Sequence, residues 1–577
     1  MRESGKPISI GGSDFVKIIR NGYLYIDKTL LIKDLIDCAS EAILFTRPRR
    51  FGKSVNMSML KAFFEIDSDQ TIFENLKIWQ CGEKYRSEQG KYPVIYFSFY
   101  DFSEITWDDA LDYMKAAIAD EFSRHDYLLD GDSLKASEKQ RFTEVIGLEA
   151  ATIYYKRSIK DLSRWLYNYH GVKPIIIIDE YDKPAQTSRS YGYYTEMINF
   201  LKGFYSGGLK DNSHLNKGIM TGVLRIAKES IFTGMNNFDV YTVFSDKFNT
   251  FFGFTTEDVR QLADIYGAPG ILEEVKQWYD GYNFGGAEIY NPWSVLQYFD
   301  KGCVPRAYWL STSGNDIIHS MLHKVTPKLL TDLTSLVQGK SITTTIPLEL
   351  PYGDLEQNVS GDMLYSVLLM TGYLKKVQER WLGGNDRTGQ DLKYRCELMI
   401  PNYEITQIYQ LEILDYFEKY CRPEVSDAIQ EAIAANDTAA LEKELSIFLM
   451  ESTSCFDGAY EVFYHGMMLG NVAMMRSGYY ITSNLESGLG RFDIQMEPKR
   501  DVLPGIIIEL KAVQDEFKDP VARDARLVAE AESALDQIEN NEYVTGLKMR
   551  GVENIILYGM AFHGKYVRVQ SRSVEFK

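Results

Sequence analysis

Sulfur for stapling the chain or binding a metal is scarce: six cysteines, Cys38, Cys81, Cys303, Cys396, Cys421 and Cys455, are scattered with no C-x-x-C pair. That scatter excludes a zinc ribbon and a disulfide framework, and it predicts a reducing, cytoplasmic setting. Positive charge is short as well. A formal net charge of −18 excludes a protein that coats nucleic acid with its whole surface, because such binders take most of their affinity from Lys and Arg on phosphate. Any nucleic-acid site has to be local. No uninterrupted apolar run approaches the length needed to span a bilayer, and the first residues, Met1 to Pro7, hold no apolar signal core, so no membrane contact is expected. Internal repeats and low-complexity tracts are missing too. What remains is an ordinary globular composition, 45% hydrophobic and 25% charged over 577 residues, long enough for roughly three or four domains.

The most informative stretch also lacks something. Leu44 to Ser54 reads L-F-T-R-P-R-R-F-G-K-S, a phosphate-binding loop of the G-x-x-x-x-G-K-[ST] kind in which Arg47 occupies the first glycine position. The second half is intact. In such a loop backbone N–H groups hold phosphates, the lysine reaches their outer oxygens and the hydroxyl helps bind Mg²⁺. The apolar run Ala42 to Thr46 predicts a buried strand that delivers the loop, and Val55 to Phe64 has helical periodicity, which would set the phosphates on a helix N-terminus. Arg47, Arg49, Arg50, Phe51, Gly52, Lys53 and Ser54 are therefore the candidate nucleotide-binding residues. The three arginines could grip phosphates, reach a neighbouring subunit of a homo-oligomer, or meet a nucleic acid.

A second signal follows Gly171. Four consecutive isoleucines, Ile175 to Ile178, predict a parallel strand buried on both faces. The strand ends in Asp179-Glu180, where Asp179 would hold the Mg²⁺ shell and Glu180 would polarise the attacking water. The run Lys217 to Leu224 predicts another strand, with Thr221 placed to sense the terminal phosphate and Arg225 to offer transition-state charge. His319 and His323 stand at helical i, i+4 spacing, yet no glutamate follows the first and no third ligand is evident, so a metal site there is not expected.

The far end carries a separate chemistry. Strands are predicted at Gly490 to Glu497 and Pro504 to Val513, and in the second of them Glu509 and Lys511 lie two apart, hence on one face. Asp493 on the preceding strand completes the Asp…Glu-x-Lys order that metal-dependent phosphodiester cleavage needs. Asp493 and Glu509 would bind Mg²⁺, a hard cation, and Lys511 would orient water or neutralise developing charge. Acids slightly outnumber bases from Arg491 onward, so this end is no basic platform.

The segments Tyr25 to Thr29, Arg47 to Ser54, Ile178 to Asp182, Thr221 to Arg225 with Lys228-Glu-Ser230, and Tyr290 to Ser294 together resemble a bacterial AAA-ATPase-like family whose members join such an ATPase to a C-terminal PD-(D/E)XK nuclease-like domain. The resemblance implies an α/β fold with an N-terminal P-loop parallel-sheet ATPase core at 1–250, a small helical or winged lid at 251–325, a helical connecting region at 326–452, and a restriction-endonuclease-like domain at 453–577. It adds Glu461, flanked by Tyr464 and His465, and Gln537 as further active-site positions. It also makes ATP the expected nucleotide, DNA the expected partner, and the arginine in the first glycine position a trait of the family. The function so implied is ATP-controlled, Mg²⁺-dependent cleavage of nucleic acid, in defence or genome maintenance. The alternative is a nucleotide-operated assembly or partner-binding switch whose nuclease-like domain is inactive.

Overall fold

The computed structural model describes residues 6–226, 238–311, 327–337, 339–347, 361–381, 393–409, 423–452, 461–473, 475, 478–483, 486–487, 490–500, 502–515 and 517–576. Two compact units divide the chain: Met1–Trp309 with Thr343–Glu404, and Leu310–Ile342 with Ile405–Lys577.

The first unit is built on five parallel strands, β1 (Ala42–Thr46), β2 (Val94–Ser98), β3 (Ile175–Asp179), β4 (Lys217–Gly222) and β5 (Phe238–Tyr241), in the order β2-β3-β4-β1-β5. Every residue of β1 and β3 is buried, as expected of parallel strands covered on both faces. Because β4 lies between β1 and β3, the residues that end these three strands sit side by side: Phe45 pairs with Thr221, and Ile178 with Met220. Helix Thr152–His170 packs closely on helix Tyr194–Leu209. A Cβ on Gly208 would lie 2.3 Å from Ile159 Cγ2, so this crossing requires glycine.

Beyond the sheet, an aromatic-rich module combines helices Thr256–Ile265, Leu272–Tyr279 and Pro292–Asp300 with the hairpin β6 (Tyr282–Phe284) and β7 (Ala287–Ile289). Its core gathers Phe254, Tyr279, Tyr290, Val295 and Tyr298, with Leu24 and Ile26 from the N-terminal segment. Asn291 caps the last helix by accepting from Trp293 N, with Pro292 in its first turn, a placement that suits both residues. Lys28 pairs with Asp258 at 2.5 Å. Asp27 accepts from the backbone N–H groups of Thr29 and Lys77. The Tyr25–Thr29 segment therefore fastens the module and the helical elements around the sheet.

The middle of the chain is largely helical, with helices Pro327–Val337, Gly361–Thr371, Pro423–Ala435 and Thr438–Ser452. It also holds a three-stranded sheet of β8 (Ile342–Pro347), β9 (Lys375–Trp381) and β10 (Lys393–Met399), in the order β8-β10-β9. Alternating burial along β8 is the strand signature, and helical periodicity in its neighbours masks it in the sequence.

The second unit centres on β11 (Tyr479–Ser483), β14 (Ile494–Pro498), β15 (Gly505–Ala512), β16 (Asn554–His563) and β17 (Tyr566–Glu575), ordered β11-β14-β15-β16-β17, with a short hairpin of β12 (Glu486–Ser487) and β13 (Gly490–Arg491) beside it. Only β15 and β16 run parallel. Helix Pro520–Asn540 is the crossover between them and approaches so closely that a Cβ on Gly559 would stand 2.0 Å from Ala531 O. No helix among the described residues is long and apolar enough to cross a membrane.

Candidate active sites

The loop after β1 turns through two left-handed residues, Arg50 at φ 70° and Gly52 at φ 78°, and then enters helix Lys53–Phe64. A Cβ on Gly52 would meet nothing within 4 Å, so this glycine answers a backbone demand, not a steric one. Helix entry at Lys53 points the free N–H groups of the first turn at the loop, the usual setting for a phosphate. The Lys53 ammonium is buried. It donates to the carbonyl oxygens of Pro48 at 3.1 Å and Arg47 at 3.4 Å, and lies 3.3 Å from Glu180 Oε1.

Asp179 ends β3 fully buried, and the Thr221 hydroxyl, from the neighbouring strand β4, donates to its Oδ1. Burial, followed by the Glu180 charge, pushes the Asp179 carboxyl above its usual range, against the pull of Ser54, Thr221 and Lys53. Oδ2 accepts no hydrogen bond among the described residues. A buried, unsatisfied carboxylate oxygen costs free energy unless something occupies it, so Asp179 and Ser54 fit a divalent cation. Glu180, one residue on, adopts φ 54°, and this left-handed turn carries its side chain to Lys53.

Asp182 also belongs to this site, a residue to which the sequence alone assigns no role. Its Oδ2 accepts from the backbone N–H groups of Val223 and Leu224, at 3.0 and 2.8 Å, and from Gln186. Burial and the neighbouring Glu180 raise its pKa to about 6. The Tyr181 hydroxyl donates to Leu224 O and accepts from Ile226 N. Arg225 is therefore presented by a loop pinned on both sides. Lys228, Glu229 and Ser230 lie outside the described residues, as do His319 and His323.

The arginines separate. Arg47 is fully buried, and its Nη1 donates to the carbonyl oxygens of Thr46 and Tyr241, both at 2.9 Å. Its guanidinium packs 5.4 and 5.2 Å from the ring centres of Phe252 and Phe284, and burial draws its pKa down to about 9. Of the roles expected for Arg47, gripping phosphate does not accord with this placement: its side chain is turned to the β5 side of β1, whereas Lys53 meets Glu180 at the end of β3. Arg50 donates to Trp309 O at 3.4 Å and lies 4.8 Å over the Trp293 ring. Arg49 is half-buried and makes no hydrogen bond or ion pair with any described residue. Phe51 is buried against Tyr282 and Phe284. Glu404, near the end of the first unit, accepts from the Ser294 hydroxyl and from Trp309 N. Burial raises its pKa to about 7, with the Arg50 charge opposing.

In the second unit the expected residues converge. Asp493 Oδ2 accepts from Leu510 N at 2.8 Å, while Asp493 N lies 3.4 Å from Glu509 Oε2. Each carboxylate is thus held beside the main chain that carries the other. Gln537, on helix Pro520–Asn540, donates to Glu509 Oε1, and its side-chain oxygen accepts from Lys511 Nζ at 2.5 Å. Lys511 itself stands 4.0 Å from Glu509 Oε1. His465 contacts Asp493 O at 3.1 Å, and Tyr464 donates to Gly564 O while stacking on Phe562. Glu461 begins helix Glu461–Ala473, and its side chain lies outside the described residues. Among the described residues no three His, Cys, Asp or Glu side chains are grouped to hold a metal. Two carboxylates suffice for Mg²⁺, which keeps several waters and takes further oxygens from a phosphate substrate, so the donor set fits.

A parallel sheet with a glycine-lysine-serine loop at one strand tip and a buried aspartate at another defines a P-loop type of nucleotide-binding unit, and the mixed sheet with its Asp, Glu-x-Lys and Gln defines a nuclease-like one. Comparison with known families agrees. Residues 9–232 match the family model described as predicted AAA-ATPase, and residues 459–572 match that of the PD-(D/E)XK nuclease superfamily. An uncharacterised protein encoded in the vnfD 5′ region of Azotobacter chroococcum is 26% identical over 97% of both chains. The Walker-type ATPase of Pyrococcus abyssi aligns with 67% of this chain and 96% of its own at 14% identity and a TM-score of 0.35.

Proposed function

We propose that the protein binds and hydrolyses ATP with Mg²⁺ at the tips of β1, β3 and β4, and that this turnover controls Mg²⁺-dependent cleavage of DNA by the second unit. The observation that carries the reading is that, among the described residues, a buried Asp179 oxygen accepts no hydrogen bond and the buried Lys53 ammonium has carbonyl oxygens and Glu180 for partners. Both groups are provided for, chemically, by a metal-bound triphosphate. Lys53 would exchange the carbonyl oxygens of its own loop for phosphate oxygens. Glu180, released from that ion pair, would orient the attacking water. Ser54 and Asp179 would hold the cation, which supplies charge neutralisation between the phosphates.

In the second unit Asp493 and Glu509 would hold the metal, whose chemistry is to make a nucleophile available from water at neutral pH. Water adds to phosphorus, the bond to one sugar oxygen breaks, and that oxygen departs with a proton. Lys511 supplies positive charge beside the carboxylates where negative charge builds on the phosphate oxygens. Gln537 fixes the Lys511 ammonium and the Glu509 carboxylate relative to each other, which supports productive geometry. A gel assay on linear, circular and single-stranded DNA with ATP and Mg²⁺ tests the whole reading: cleavage by the wild type and none by Lys511→Ala is expected. Equal cleavage by the two proteins, or none by either, overturns the nuclease assignment.

A further inference from the structure

Helix Thr152–His170 places Lys156, Lys160 and Arg164 at successive four-residue steps, so these three cations share one helix face at intervals of about 6 Å. Beyond the left-handed cap at Gly171, Lys173 extends the row toward the N-terminal end of β3. The backbone N–H of Asn216 donates to Pro174 O at 2.9 Å, which brings the loop before β4 alongside, and His214 in that loop packs its ring 5.3 Å from Tyr167. Gly203 backs the first lysine: a Cβ there would lie 3.2 Å from Lys156 Cβ. Lys160 and Lys173 are exposed and Lys156 is half-buried.

Among the described residues, anions neutralise this face at Arg164 but not at its lysines. Arg164 pairs with Glu138 at 2.8 Å and lies 3.7 Å from Asp161, but Asp161 is buried and also shared with Arg141 and Arg157. Lys156, Lys160 and Lys173 make no ion pair with any described residue. The field is felt locally: burial and then the charges of Arg164, Lys173 and Lys160 hold the His214 imidazole below its usual range. In a chain of net charge −18, this cluster is a local positive patch of the kind that recruits an anionic partner.

We propose that this face, Lys156, Lys160, Arg164 and Lys173 around the Tyr167–His214 ring pair, is a docking surface for the sugar-phosphate backbone of nucleic acid, with the ring pair as a platform for an unstacked base. The inference rests on nucleic acid being the protein's substrate. The face lies along the helix and at the N-terminal ends of β3 and β4, whereas Lys53, Asp179 and Glu180 lie at the C-terminal ends of their strands, so docking shares no residue with nucleotide turnover.

The test uses the full chain with EDTA, measuring anisotropy of a labelled single strand and a labelled duplex across salt concentrations, for the wild type and the Lys156→Ala/Lys160→Ala/Lys173→Ala variant. Removing three phosphate contacts should lower the slope of log affinity against log salt by about 2 to 3 and weaken binding at least tenfold at low salt. Basal ATP hydrolysis and the melting temperature should be unchanged. Lys160→Glu should act in the same direction, and Tyr167→Ala should weaken the single strand more than the duplex. A triple variant with wild-type affinity and slope overturns the docking surface and leaves the nuclease reading standing. Absence of wild-type binding to either nucleic acid overturns both. Loss of binding to anionic lipid vesicles with nucleic-acid binding intact also overturns the proposal, in favour of a membrane surface.

Discussion

The two candidate sites use similar residues, acids beside a lysine, on differently organised frames. In the first unit the side chains come from the tips of three adjacent parallel strands, and each is fixed by a neighbour far away in sequence: Asp179 by Thr221, Asp182 by Val223 and Leu224, Lys53 by Glu180. In the second, Glu509 and Lys511 project from one face of a single strand, and one glutamine bridges them. A strand-tip site can be rearranged by a bound ligand, because among the described residues its lysine is held by carbonyl oxygens and one glutamate. A strand-face site is positioned by the pleat itself. The first therefore suits a group that must move between states, and the second a fixed reaction centre.

The sharpest way to break this contrast is to remove each lysine. Lys511→Ala should reduce cleavage by at least about 100-fold, the usual scale for a group that stabilises transition-state charge, with ATP hydrolysis unaffected. Lys53→Ala should abolish ATP binding, read by equilibrium dialysis, and leave the second unit folded. If Lys511→Ala lowers ATP hydrolysis as far as cleavage while remaining folded, the two sites are not separate centres; Lys53→Ala, which removes the turnover proposed to control cleavage, is expected to lower both activities. Glu180→Gln comes next: ATP binding retained and hydrolysis lowered about 100-fold, within the range for loss of a general base. Tighter binding in this variant would also accord with the loss of the ion pair that holds Lys53 in the structure.

Both sites were legible where their chemistry is local in sequence. Gly52-Lys53-Ser54, the isoleucine run into Asp179-Glu180, and Glu509-x-Lys511 each signal a strand and its exposed end within a dozen residues. What could not be read depends on distant partners. The burial of Arg47 is decided by Tyr241, Phe252 and Phe284, which only the pairing of β5 with β1 and the packing of the aromatic module bring near. Asp182 lay inside a segment already singled out, yet its function as the clasp between the β3 and β4 loops needs the strand order. Glu404 gives no sequence signal at all, because its partners Ser294 and Trp309 are about a hundred residues away.

Comparing two loop arginines sharpens the account of the phosphate loop. Arg47→Ala removes two hydrogen bonds to carbonyl oxygens and empties a buried space between two rings, so a stability loss of about 3 kcal/mol is expected by chemical denaturation. Arg49→Ala should change stability by no more than about 0.5 kcal/mol. Equal losses would place both side chains in the interior and contradict the separation seen here.

The last effect is read as a change of slope and concerns Glu404, whose pKa burial raises from 4.5 to about 7. A carboxyl with a raised folded-state pKa contributes stability that is complete below pH 4.5 and lost as pH rises through about 7, because the folded state then must carry a buried charge. At 1.36 kcal/mol per unit the shift caps this contribution near about 3 kcal/mol. The Arg50 charge favours the ionised form and already opposes the shift. Asp280, raised to about 7 by burial and its hydrogen bond with Glu288, and Asp182, raised to about 6, tilt stability the same way. Glu404→Gln keeps an acceptor for Trp309 N and cannot ionise, so melting temperatures measured from pH 5 to pH 8 should fall less steeply than in the wild type, without becoming flat. An unchanged slope would mean that Glu404 ionises in the folded protein at its ordinary pKa, and that Arg50 neutralises it fully.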